Sequence, residues 1–278
     1  MPVLLRAAVF ATLSLVVAPF IARAQRVVVL PAPDFAAAAP APPPASVSLV
    51  HLVSARRNRV STPNDWLTRN GLALPLLDSA ATAGPAPLPP TYGRLVLVRA
   101  IDAGDRILRI YGEDYASGAL LVSTRTRDGA VEYVLDFASY QYAPQNIPAE
   151  REFTRQAVWW AWPVGETLYV THGHLTYAKS SGGRNAYVTA IDTRAGRPLW
   201  HSPALVSNAQ TFEVVGDYLI TGYGFTAEPD FLYVLRRDTG RVVERVRVKS
   251  GPDVIVRRGD SLYVHTYDTD YVFEIVRR

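Results

Sequence analysis

The 278-residue chain contains no cysteine. Disulfides, thiol nucleophiles, thiolate zinc sites and lipid attachment through a cysteine are therefore all excluded. Lysine is almost absent too: Lys179 and Lys249 are the only two, so the basic side of the composition is arginine. The arginines are spread along the chain rather than gathered into a patch, which gives no nucleic-acid footprint. There is no Gly-x-Ser-x-Gly elbow, no His-Glu-x-x-His helix and no phosphate-binding Gly-Lys-Ser/Thr, so three common catalytic frameworks are missing. Beyond the first thirty or so residues no apolar run is long enough to span a bilayer. With 49% hydrophobic residues, stability must come from core burial alone.

The N-terminus carries the one long apolar stretch. Arg6 is followed by apolar residues from Ala7 to Ile21 and by Ala22-Arg23-Ala24 before Gln25. This is the pattern of a secretory leader with an Ala-x-Ala cleavage site. An uncleaved anchor is the alternative, disfavoured by Pro19 and by the short apolar length. Removing residues 1–24 takes away two arginines and no acid, lowering the formal charge from +4 to +2. The expectation is a periplasmic or secreted protein with no membrane span in its mature chain.

Gly-x-x-Leu tetrads at near-regular spacing open apolar runs at Gly118 to Leu121, Gly165 to Leu168, Gly216 to Leu219 and Gly259 to Leu262. Their glycines lie 47, 51 and 43 residues apart, a period that suits one four-stranded sheet per repeat. A β-rich stretch follows each, and in two repeats a second hairpin comes after it. Residues 186–200 read AYVTAIDTRAGRPLW and residues 231–245 read FLYVLRRDTGRVVER. An Asp and a Gly separate two strands in each. The same half-unit occurs upstream in residues 95–109, LVLVRAIDAGDRILR, with Asp102 and Gly104 at the turn.

The run Ala190 to Trp200, with the preceding Gly-x-x-Leu-Tyr-Val, resembles the repeat of the PQQ-like, quinoprotein-type β-propellers. The resemblance implies an all-β fold in which Asp192 and Gly196 form a turn and Trp200 packs between neighbouring blades. Arg109 and Glu244 or Arg245 stand near that place in other repeats. Quinone-dependent members need more blades, a calcium site and adjacent cysteines, so no cofactor is expected. Residues 94–278 then form a small propeller of about four four-stranded blades, with a fifth drawn from residues 46–60 left open. The ring is expected to close by pairing the 95–108 hairpin with the strands of residues 262–276, which would hide the exposed edges.

Residues 25–93 read as a tether. Two Pro-Ala-rich stretches, 31–45 and 75–90, favour extended polyproline II. Between them Ser61-Thr62-Pro63-Asn64-Asp65 opens a short helix that Gly71 closes, with Trp66 and Leu67 in need of cover.

Candidate site residues come from strand ends. His172 and His174 alternate on a strand, so both imidazoles could face one metal, with His265 or Asp268 as a third ligand. Polar strand ends facing water are the alternative. Gly222-x-Gly224-x-x-Ala227 lacks the helix that a dinucleotide fingerprint needs, and Arg258-Gly259-Asp260 contains only the repeated turn. Acid pairs such as Glu150/Glu152 and Asp268/Asp270 sit in loops. Trp159, Trp160, Trp162, Tyr140 and Tyr142 cluster, for packing or for binding. Long loops 124–129, 140–154, 172–184, 223–230 and 266–270 are expected on one face, where His172, His174, Tyr223, His265 and Asp268 would contact a ligand.

The expected role is an exported, non-enzymatic binding or scaffold module for a protein or polysaccharide partner. The alternative is an extracellular polymer-degrading hydrolase or lyase working at the channel mouth.

Overall fold

The computed structural model describes residues 27–38, 40–43, 48–58, 62–77, 89–114 and 117–276. The expected leader and its cleavage site lie outside them. Two strands, β1 (Val27–Val29) and β2 (Val50–Arg57), and a helix, α1 (Pro63–Asn70), precede a series of antiparallel meanders. The first meander is β3 (Thr91–Tyr92), β4 (Leu95–Asp102), β5 (Arg106–Gly112), β6 (Gly118–Arg125) and β7 (Val131–Asp136). The second is β8 (Ala157–Val164), β9 (Thr167–Gly173), β10 (Tyr187–Asp192) and β11 (Arg197–His201). The third is β12 (Glu213–Val215), β13 (Tyr218–Tyr223), β14 (Phe231–Arg236) and β15 (Val242–Arg247). The last is β16 (Pro252–Arg258), β17 (Ser261–Thr266) and β18 (Thr269–Ile275).

The four sheets are wound about a common centre, which makes the fold all-β and propeller-like. Trp160 and Trp162 of β8, Glu213 and Val214 of β12, and Ile255 to Arg257 of β16 line one cavity of about 180 Å³. The first sheet reaches the same centre through Arg99, whose guanidinium lies 5.5 Å from the Trp160 ring and donates to Gln210 O at 3.3 Å. At the opposite edge of the last sheet β2 faces solvent over most of its length.

Ring closure differs from the sequence expectation. The fourth strand of the last sheet is β2, which pairs with β18 from Thr269↔Arg57 to Ile275↔Val50. The 95–108 hairpin instead begins the first sheet and does not pair with β18. Within residues 46–60, the strand Val50–Arg57 therefore completes an existing sheet rather than starting a fifth one. The tether residues are likewise built into the molecule: β1 adds to β7 in parallel, and Phe35 stacks on Tyr142 at 5.5 Å.

A buried carboxylate marks the seam. Glu244, in the place that Trp200 holds one sheet earlier, accepts from Leu49 N at 2.6 Å and Ser48 Oγ at 3.0 Å. Trp200 itself packs against Gly240 and donates its indole N–H to Arg237 O of the third sheet at 3.0 Å, as the family resemblance implied.

The helix forms where its capping signals put it. Thr62 caps Asp65 N, and Gly71 ends it in the left-handed region. Trp66 and Leu67 pack on Val254 and Val256 of β16. The chain that follows bonds to the first sheet, through Leu77 N to Ala100 O and Asp102 N to Pro75 O. The 62–77 segment thus bridges the last sheet and the first.

The first sheet also corrects the repeat phase. Gly165, Gly216 and Gly259 sit in first-to-second turns with positive φ, and so does Gly104. Gly118 is the first residue of β6, where a Cβ would come within 1.6 Å of Val158 O, so close approach rather than a turn requires it.

Candidate functional site

Antiparallel meanders put second-to-third and fourth-to-next-first connections on one face. That face gathers residues 113, 114 and 117 and loops 137–156, 174–186, 202–212, 224–230, 248–251 and 267–268. Loop 124–129 joins β6 to β7, a third-to-fourth connection, and so lies on the opposite face. There, among the described residues, the hairpin turns within the four meanders are short, each with a positive-φ glycine.

The five candidate residues stand at second-strand ends on the loop face, but on three different sheets. His172 is the penultimate residue of β9 and is fully buried. Its Nε2 is 2.8 Å from Thr189 Oγ1, which His201 Nδ1 shares at 2.6 Å. The ring stacks on Tyr187 at 5.3 Å and meets Tyr140 edge-on at 4.9 Å. Burial holds its pKa well below the ordinary value, so it is neutral. His172 is a core residue.

His174 lies two residues on, also buried. Asn185 Oδ1 accepts from its backbone N–H at 2.7 Å. Thr176 N donates to Nδ1 at 3.4 Å, which puts the ring proton on Nε2. Burial pushes the pKa down to about 4.

Tyr223 and Asp268 approach one another through a run of acids. Tyr223 donates to Glu228, whose other oxygen accepts from Ala178 N at 2.7 Å. Burial, reinforced by Glu228, raises the phenol's pKa. Asp230 is pushed up to about 6, chiefly by desolvation, with Asp268 and Glu228 adding and Arg247 opposing. Asp268 accepts from Ser250 Oγ at 2.8 Å and Thr269 Oγ1 at 3.0 Å. His265 is buried against the helix instead, stacked on Trp66 at 5.1 Å and bonded to Asp270 Oδ1 at 2.7 Å. Among the described residues no group of three His, Asp or Glu side chains is placed to hold a metal. The geometry does not assemble the metal set that pairs His172 and His174 with His265 or Asp268.

Sequence reasoning missed a wide opening on this face. A recess of about 1190 Å³ lies between the loops of the first and second sheets, lined by His174, Trp159, Tyr142, Phe153, Arg155 and neighbours. Trp159 reaches it because β8 bulges there: Val158 pairs with His172 and Trp160 with Thr171, leaving Trp159 without a partner in the ladder. Arg155 spans the opening, donating to Glu113 Oε2 at 2.9 Å and Gln141 Oε1 at 2.6 Å. The aromatic cluster was visible in the sequence, but the bulge that turns Trp159 out of line was not.

Exposed aromatics concentrate on this face. Tyr142, Phe153, Tyr177 and Tyr267 all stand in its loops, with Leu175 beside them; Phe153 is 64% and Tyr267 72% exposed. Of the exposed aromatics among the described residues, only Tyr92 lies elsewhere.

No family model matches the chain, and no curated protein matches it. Among solved structures it is similar to the computationally designed Ika4 protein, at 10% identity and TM-score 0.37, over 62% of this chain and 86% of that one. It is similar to BamB from Moraxella catarrhalis at 12% identity and TM-score 0.32, over 66% of this chain and 71% of that one. A third likeness is to the quinohemoprotein alcohol dehydrogenase ADHIIG from Pseudomonas putida HK5, at 14% identity and TM-score 0.38. It covers 60% of this chain but only 28% of the dehydrogenase. None of the three bears on activity or cofactor.

Proposed function

We propose that the protein is an exported, non-enzymatic binding module: a four-bladed, PQQ-like propeller that engages a protein or polysaccharide partner through its loop face. The observation that carries this reading is the gathering of Tyr142, Phe153, Leu175, Tyr177 and Tyr267 on one side of a rigid ring. Long loops on a rigid scaffold are the usual place for binding residues, and exposed apolar side chains gathered on one side mark an interaction surface. The polymer-degrading alternative finds less support. Among the described residues the central cavity is lined by one carboxylate, Glu213, whereas glycoside hydrolysis uses a pair.

Two measurements test the reading. The protein recovered from the exported fraction of its host should begin at Gln25; a start at Met1 in washed membranes overturns export with cleavage. A Y142A/F153A/L175A variant, all three exposed, should melt like the parent yet lose the partner that the parent retains from that fraction. Unchanged retention, or polymer hydrolysis by the purified parent, overturns the binding role.

A further inference from the structure

Two side chains of the recess each carry a nitrogen that is shielded from solvent and has no hydrogen-bond partner among the described residues: Trp159 Nε1 and His174 Nε2. Both side chains line the same opening. Buried polar atoms are satisfied in the great majority of cases, and each exception asks for an explanation. A buried donor left without an acceptor is destabilising. Trp159 stands on β8 and His174 just past the end of β9, so two such donors belong to side chains that line one recess.

Their chemistry narrows the ligand. An indole nitrogen only donates, and His174 presents Nε2–H because Nδ1 is already an acceptor for Thr176 N. Both donors are neutral. The acids lining the recess, Glu113, Asp114 and Glu152, outnumber Arg151 and Arg155, so a free carboxylate or phosphate gains no net attraction there. An apolar ligand would leave both donors unmet. What fits is a neutral molecule with acceptor oxygens for the two N–H groups, hydroxyl donors for the carboxylates, and a C–H face for the Tyr142 and Phe153 rings. A sugar ring carries all three. The volume, about 1190 Å³, exceeds the range of a drug-sized pocket and leaves room for more than one ring. Phe153 and Leu175, 64% and 61% exposed, have little packing to hold them and can turn aside on entry.

We propose that this recess is a saccharide-binding site, in which Trp159 Nε1–H and His174 Nε2–H donate to ring or hydroxyl oxygens of a polysaccharide unit. The inference rests on the loop-face reading above and names a ligand class for it.

The test uses the full mature chain on a printed glycan array of neutral and acidic oligosaccharides. Titration of the strongest binder is then followed by the indole N–H resonances of the five tryptophans. The Trp159 resonance is assigned by its loss in W159F, which keeps an aromatic ring and removes the donor. We expect neutral glycans to bind, the Trp159 resonance to shift on titration, and W159F to weaken binding about tenfold, the value of one neutral hydrogen bond. H174N should weaken it similarly, provided its melting curve shows a folded protein; W159F decides if it does not. An array with no neutral glycan bound overturns the proposal, as does a glycan that leaves the Trp159 resonance unmoved. A peptide that shifts Trp159 where no glycan does overturns the saccharide class. If Y142A/F153A/L175A loses its partner while Trp159 stays silent, the loop-face reading stands and this inference falls. If neither change matters, both fall.

Discussion

His172, His174, Tyr223 and His265 are buried, although on the sequence they read equally well as strand ends facing water. That burial gives the stability a pH dependence whose sign can be worked out. The unfolded chain protonates His174 near 6.5, the folded chain only at about 4. Its contribution is full above pH 6.5 and is lost as pH falls from 6.5 to 4, by about 3 kcal/mol once protonation is complete. His172 acts in the same direction. Glu213 acts in the opposite one, since desolvation raises its pKa from 4.5 to about 7. The folded chain holds that proton longer, so stability falls as pH rises from 4.5 to 7 and stays lower above, again by about 3 kcal/mol. We therefore expect E213Q, which keeps the acceptor for Arg257 N, to gain melting temperature over the parent progressively between pH 4.5 and 7. H174N should lose less stability than the parent between pH 6.5 and 4. Melting curves that run parallel to the parent at every pH would refute both assignments.

At the scale of the element, legibility follows how local the signal is. The helix was readable because its cap, its proline and its closing glycine all act within one short segment. The hairpins of residues 186–200 and 231–245 were readable for the same reason. β2 was not: as an outermost strand it buries little, its residues Leu52 and Val53 are largely exposed, and no nearby turn announces its partner. The first sheet was misphased because Ile107 stands where the other copies have Leu. Gly118 reproduces the motif by coincidence, for a reason that belongs to the packing of Val158. The recess was illegible because it is assembled from three separate segments and a bulge. Two predictions belong here. Trp66→Ala should cost about 3–5 kcal/mol, because the indole fills the joint between the last sheet and the helix and lies against His265. Glu244→Ala should cost about 1–3 kcal/mol by leaving the buried amide of Leu49 without its acceptor. Chemical denaturation measures both, and a loss under half a kcal/mol in either variant would remove that residue from its structural role.

For the molecule as a whole, the seam between β2 and β18 imposes an order on synthesis. Asn58 and Asp270, bonded at 2.8 Å, are 212 positions apart, so β2 leaves the ribosome long before its partner exists. Until β18 arrives, β2 has no native edge to pair with, and the last sheet remains one strand short. Contacts of such sequence separation are slow to form, and an unpaired strand is open to pairing with other chains while it waits. Refolding from denaturant should therefore be slow and should lose yield as protein concentration rises. A rearranged chain in which residues 48–58 follow residue 276 through a short flexible linker makes the same pairing a local hairpin. It should refold several-fold faster, with a yield that no longer depends on concentration. Equal rates for the two chains would mean that a step other than the seam limits folding.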